Sequence, residues 1–233
     1  MKRKIVLFFR KTWWYGDNDF WASINFEKIK KLLYIPYGMP EEDWESCVES
    51  VRNLPSSRDI DVSSPHQTGN KITGKFDAIF VADGNMFRLL ANLQRFEMLS
   101  DIRKMVLEDG VKYIGVNSGS ILASPSIATT NDIPIIFPHQ GFKALNLVSF
   151  HTFIMATVNG NMDYENCRDF DEVSDLPLIG LRDSSFLQIN EEYFERQDIF
   201  VGGTHGGYII KKGEIDRNVY QRTVSLKPVL REV

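Results

Sequence analysis

Cysteine is scarce: Cys47 and Cys167 are the two in 233 residues, and they have no metal-ligand spacing. The four histidines are scattered, with no paired acidic residues at ligand distance, so neither a metal nor a cofactor is expected. No apolar stretch is long enough to span a bilayer. The opening MKRKIVLFF starts basic, but Arg10 and Lys11 cut its apolar run short and no small-residue cleavage site follows. It reads as a core strand rather than an export signal, so free thiols and a cytoplasmic home are expected. Excess positive charge is lacking too. A net charge of -4 gives no electrostatic case for nucleic acid or an anionic membrane surface. Internal repeats, low-complexity tracts and linkers are absent, which predicts one domain over residues 1–233.

What is present is a regular alternation. Residues 4–9 (KIVLFF) read as a buried strand and 19–32 as a helix with Phe20, Ile24, Ile29 and Leu32 at helical spacing. A strand follows at 33–37, stopped by Pro36 and Gly38, then a helix at 40–54 opened by proline and acidic residues. Residues 55–74 read as loop with one short strand at 59–62. FDAIFVA at 76–82 is a near-continuous apolar run, the mark of a parallel strand covered on both faces. Helices are expected at 85–94 and 99–108, and a strand at 111–116. Beyond about Asp175, LPLIGL, SSFLQI, DIFVGG and GGYIIKKGEI read as short strands of an antiparallel extension. The whole predicts a doubly wound, mostly parallel α/β sheet with antiparallel C-terminal strands.

The stretch IGVNSGS (114–120) follows a strand and precedes a helix. In the strand–turn–helix bend that presents a nucleophile, the residues two places either side of the tip must be small, because the two backbones nearly touch. Centring on Asn117 gives Gly115 and Gly119; centring on Ser118 gives Val116 and Ser120. Sterics therefore put Asn117 at the tip. A carboxamide is not a useful nucleophile near neutral pH. On spacing alone a plain tight turn is the favoured reading, because G-x-x-x-G is common.

Three motifs in order carry a resemblance to a known family. YIGVNSGSILASP, then TTNDIP (129–134), then QGFKALNL (140–147) resemble the serine turn, the T-T-N-D segment and the A-L-N-L segment of peptidase family S51, the dipeptidase E-like α-aspartyl dipeptidases. VADGNMFRLL (81–90) resembles that family's glycine-rich G-G-G-N-T-F segment through Gly84, Asn85, Phe87, Leu89 and Leu90, and weaker matches recur near 179–181 and 206–214. The resemblance runs from about Phe76 onward. It implies a class I glutamine amidotransferase-like fold and a Ser–His–Asp triad that removes an N-terminal aspartate from short peptides. Carried over residue by residue, the serine falls on Asn117, the aspartate on Asp132, and the histidine, counted from A-L-N-L, on Met155. A thioether cannot accept and return a proton near pH 7. Two of three groups are therefore replaced, which implies a degenerate serine peptidase, a pseudoenzyme.

Other departures agree. Ala82 and Asp83 replace glycines of the family's oxyanion region, and a carboxylate there would oppose a developing oxyanion. The segment after Met155 is shortened and holds only Arg168 where a basic helix is expected, so selectivity for aspartate is not carried over. A short peptide or small polar ligand is the expected occupant, held by Asp83, Gly84, Asn85, Ser118 and the amide of Asn117. The competing reading is an active hydrolase with relocated groups, Ser118 with His151 and Asp132. Against it, His151 and Met155 are about 13 Å apart along a strand, and Ser118 reads as a helix cap. Deamidation of Asn117 to a weakly nucleophilic aspartate is a minor alternative. His139 and His205 read as loop residues. WWYGDNDFW (13–21) reads as a binding wall, a dimer contact or aromatic core beneath a loop. A third reading is a structural partner protein. The assembly is expected to be a monomer, or a homodimer through an edge strand or the tryptophan cluster.

Overall fold

In the computed structural model, the described residues are 3–9, 29–54, 59–154, 162–193, 196–203, 206–219 and 222–226. The tryptophan cluster, Met155, His205 and the first part of the helix read over 19–32 lie outside them.

The sequence 4–9 forms β1 (Arg3–Phe9). β2 is Lys31–Ile35, β3 Asp61–Ser63, β4 Ala78–Val81 and β5 Lys112–Val116, and these five pair in parallel in the spatial order β1-β5-β4-β2-β3. All four residues of β4 are buried, as its apolar run requires. Alternate side chains go to opposite faces. Leu7, Leu33, Ile79 and Tyr113 enter a core beneath α2 (Met86–Arg95), α3 (Leu99–Leu107) and α4 (Ser118–Leu122). Phe8, Tyr34, Phe80 and Ile114 enter a second core beneath α1 (Trp44–Arg52), which supplies Cys47, Val48 and Val51. Helices on both faces of a parallel sheet are the doubly wound arrangement expected.

One element boundary is corrected. Lys31 and Leu32, read as the end of a helix, belong to β2. Leu32 fits a helical spacing, but Leu32–Ile35 is also an unbroken buried run, and it is zipped on both edges, Leu32 opposite Val62 and opposite Ala78. Asp77 holds the entry to the strand: one carboxylate oxygen accepts the N–H of Lys30 and of Lys31, each at 2.9 Å. Those bonds lower its pKa. The strand ends at Ile35 because Pro36 has no N–H for the ladder.

The C-terminal strands are antiparallel as expected, but they divide. β8 (Ser185–Tyr193), β9 (Arg196–Gly203) and β12 (Arg222–Leu226) extend the main sheet beyond β1, with Leu7 opposite Leu187. β7 (Leu178–Leu181), β10 (Gly207–Lys211) and β11 (Glu214–Val219) join β6 (His151–Ile154) in a separate four-stranded sheet, where β6 and β7 run parallel. Phe153, Leu178 and Ile210 of this small sheet pack with Cys167 of α5 (Met162–Val173). Among the described residues, no helix is long and apolar enough to cross a membrane.

Candidate functional site

The site lies at the carboxyl ends of β4 and β5, the position where sheets of this type bind ligands. Register aligns Leu7, Gly115 and Val81 across three neighbouring strands, so the chain leaves β5 between two others at the same level. The turn into α4 is tight. A Cβ on Gly115 would stand 2.5 Å from the carbonyl oxygen of Gly119, and one on Gly119 would stand 2.1 Å from that of Val81. Both glycines are therefore needed for the approach of helix to strand. Between them Asn117 has φ 49° and ψ −107°, a conformation that costs an ordinary residue about 1–3 kcal/mol. The surroundings hold it there. Its N–H donates to the carbonyl of Phe8 at 2.9 Å, and its own carbonyl accepts from Ser120 at 2.8 Å. The Tyr113 hydroxyl donates to the Gly119 carbonyl at 2.7 Å, and the Ser120 hydroxyl lies 2.8 Å from the Phe8 carbonyl.

The amide of Asn117 is oriented by an acid. Its Nδ2 donates to Oδ2 of Asp83 at 2.7 Å. The Ser118 hydroxyl donates to the Gly84 carbonyl and lies 3.2 Å from Oδ1 of Asp83. This corrects the helix-cap reading of Ser118: the residue capping α4 is Asn117, which makes no side-chain cap bond. The loop carrying Asp83 is fixed by a second glycine contact. Gly84, at φ 142°, is packed so closely on Gly38 that a Cβ would stand 2.4 Å from the Gly38 carbonyl carbon.

Asp132 meets the same loop from the other side. Its Oδ2 accepts the N–H of Met86 at 2.5 Å, at the N-terminus of α2, where a carboxylate is favoured by the helix dipole. Asn85 caps that helix: its Oδ1 accepts the N–H of Arg88 at 3.1 Å, and its Nδ2 donates to the carbonyl of Ile133 at 2.9 Å. Both ends of the Asn85 amide thus serve the scaffold. Asp83, Asn117, Ser118 and Asp132 line one cavity of about 200 Å³, together with Ile154, the residue before Met155. Thr129, Thr130 and Asn131 complete its polar wall, a contribution that the sequence motif contained but that was not read from it.

Burial, with Asp83 as a second contribution, raises the pKa of Asp132. A carboxyl group whose folded pKa is raised binds its proton more tightly folded than unfolded. Its contribution to stability is present at acid pH and lost as pH rises through the folded pKa. Asp132→Asn keeps an oxygen for the Met86 N–H and has no charge to bury. The variant should melt above the parent at pH 7, with the difference shrinking as pH falls through the carboxylate range. Paired calorimetric scans across pH check this, and a difference independent of pH would refute it.

His151 is elsewhere. It begins β6, its N–H donates to the Pro177 carbonyl at 2.9 Å, and its buried ring stands edge-on to Phe170 at 5.0 Å. Burial lowers its pKa. It is not among the residues lining the cavity with Ser118 and Asp132. A serine–histidine–carboxylate chain does exist at another place: Nδ1 of His66 is 2.8 Å from the Ser64 hydroxyl, and Nε2 is 2.8 Å from Oε2 of Glu45. It is structural. Ser64 is buried and forms a reciprocal capping box with Gln67, a pattern legible in the sequence as S-P-H-Q.

Residues 19–197 match the model of a family described as Peptidase family S51. The chain is 31% identical over 198 residues to Peptidase E of Streptomyces coelicolor, covering 81% of this chain and 78% of that protein. It is 30% identical over 183 residues to the Probable alpha-aspartyl dipeptidase of Drosophila melanogaster, covering 75% and 74%. The crystal structure of a peptidase from an acI-B1 Actinobacterium superposes with a TM-score of 0.66 at 14% identity, over 97% of this chain and 98% of that one. The architecture is the class I glutamine amidotransferase-like one.

Proposed function

We propose, for a chain that belongs to peptidase family S51, that the serine-peptidase site has become a binding cavity for a short peptide or small polar ligand, without peptidase turnover. The observation that carries this reading is Asn117 itself: an amide in the strained position at the tip of the turn, with its nitrogen bonded to Asp83. If this turn is the family's nucleophile elbow, the nucleophile has been exchanged for a hydrogen-bonding group. Three further features support it. By count from A-L-N-L the general base is Met155, which cannot carry a proton. Asp83 puts a carboxylate beside the place where an oxyanion would need donors. The relocated triad lacks support, because the Ser118 hydroxyl is turned to Gly84 and His151 packs on Phe170.

The Drosophila relative is named a probable alpha-aspartyl dipeptidase. Here Asp83 and Asp132 line the cavity, and among the described residues no basic side chain does. An acidic first residue is thus disfavoured, and a ligand rich in donors, such as a peptide amino terminus, is favoured. A cytoplasmic setting is in keeping with two buried free thiols, Cys47 and Cys167.

The test is incubation of the unaltered, folded protein with a mixed dipeptide library that includes N-terminal aspartyl peptides. Mass spectrometry reads cleavage and thermal shift reads binding. The expected result is no cleavage above blank, with a saturable rise in melting temperature for a subset of peptides. Cleavage that co-purifies with the protein and vanishes in Ser118→Ala would hand the site to the relocated-triad reading.

A further inference from the structure

The loop after Asp132 is unusual for a surface. Ile133, Ile135, Ile136, Phe137 and Phe142 are all exposed, Ile133 to 77% and Phe137 to 69%. From Ile133 to Phe142 the sequence has no charged residue. At roughly 150–250 Å² for a whole aromatic side chain and somewhat less for isoleucine, the five partly exposed side chains together present on the order of 500 Å² of apolar surface, near the upper end for a lone protein.

This loop is held in shape. The buried Gln94 side chain clamps its far end, donating to the Gly141 carbonyl at 2.9 Å and accepting the N–H of Gln140 at 3.0 Å. Asn85 holds the near end through the Ile133 carbonyl. Pro134 and Pro138 stiffen the span between. The ring of Phe87 supports Phe137 and Phe142 from below, at 6.5 and 5.8 Å between centroids. A ridge ordered before contact loses little entropy on docking.

A groove of about 320 Å³ runs along the ridge, floored by Met39 and Trp44, walled by Ile135 and Ile136, and flanked by Glu41 and Arg88. One patch thus carries both an apolar knob and a hole of mixed lining, in which Glu41, Arg88 and Asn92 stand with the apolar side chains and supply one charge of each sign. A twofold axis needs a surface of this kind, in which each copy offers what the other receives. The ridge's ~500 Å² matches the apolar share, a little over half, of the ~800 Å² per partner that a stable interface buries. The uncharged ridge gives a strongly acidic or basic partner nothing to pair with, and it lets two chains of net charge -4 meet without local repulsion. We propose that this face joins two copies of the chain in a twofold dimer, with the Ile133–Phe142 ridge of each seated in the groove of the other.

Sedimentation velocity and light scattering on the full chain test it. The expected mass is twice 26.8 kDa. Phe137→Asp and Ile133→Asp should each give 26.8 kDa with an unchanged circular dichroism spectrum, because both side chains are exposed in the single chain. Val173→Asp, at an exposed apolar residue of α5, should leave the dimer intact. A native protein that stays monomeric up to about 100 µM would overturn the proposal. So would a dimer that survives Phe137→Asp, or one that Val173→Asp also dissociates.

Discussion

Gly119→Ala is expected to lose at least about 4 kcal/mol of stability, an exceptional cost for one methyl group. The added Cβ would stand 2.1 Å from the carbonyl oxygen of Val81 and 2.9 Å from its carbonyl carbon. Neither can step aside. Val81 is paired to Ile35 on one side and to Gly115 on the other, in the middle of the parallel sheet. Helix α4 cannot retreat either, because Tyr113 ties the Gly119 carbonyl and Asn117 is bonded to Phe8. At roughly 2–4 °C per kcal/mol for a chain of this size, the melting temperature should fall by about 10 °C or more. Gly141→Ala is the control. Its φ is 75°, but a Cβ there meets nothing within 4 Å, so only the left-handed backbone penalty of about 1–2 kcal/mol applies. Calorimetry of the two variants should separate them clearly. If Gly119→Ala melted within a few degrees of the parent, the close approach of α4 to β4 would be wrong, and with it the geometry that strains Asn117.

That geometry was the most legible part of the molecule. Gly115 and Gly119, two residues either side of Asn117, state a steric requirement that holds wherever the turn is placed, so spacing alone could set the tip. The apolar run around Phe80 was equally plain, because burial on both faces removes any need for alternation. Less could be read where one residue satisfies two periods. Leu32 fits a helical stripe and a strand, and only its partners Val62 and Ala78, about 30 and 46 residues further on, decide. The division of the C-terminal strands between two sheets is likewise a matter of distant pairing. LPLIGL and SSFLQI look alike as sequence, yet β7 pairs with β6 and β8 with β1. Within the site, residue types were legible and directions were not. The Ser118 hydroxyl turns to the carbonyl of Gly84, on a loop packed closely against Gly38, and neither contact is recorded by any local pattern.

Restoring the serine alone should restore nothing. In Asn117→Ser the hydroxyl would occupy the strained tip, but a serine without its base is a poor nucleophile, and losing one member of such a triad can cost about as much as losing all three, roughly a millionfold. Turnover of N-terminal aspartyl peptides by this variant is therefore expected to stay at blank. If the carried-over triad positions hold, Asn117→Ser with Met155→His would supply nucleophile and base, with Asp132 as the aspartate. It still faces Asp83. A negative charge about 4 Å from a developing oxyanion costs about 4 kcal/mol at the effective dielectric of a partly solvated site, close to 1000-fold in rate. Adding Asp83→Gly removes that charge and returns a glycine to the loop. The triple variant should accordingly exceed the double by two to three orders of magnitude in kcat, with a much smaller change in KM, because the charge acts on the transition state. Equal activity of double and triple variants would show that Asp83 does not oppose the reaction. Full turnover by Asn117→Ser alone would show that a base other than residue 155 serves this turn, and the silent-peptidase reading would fall with it.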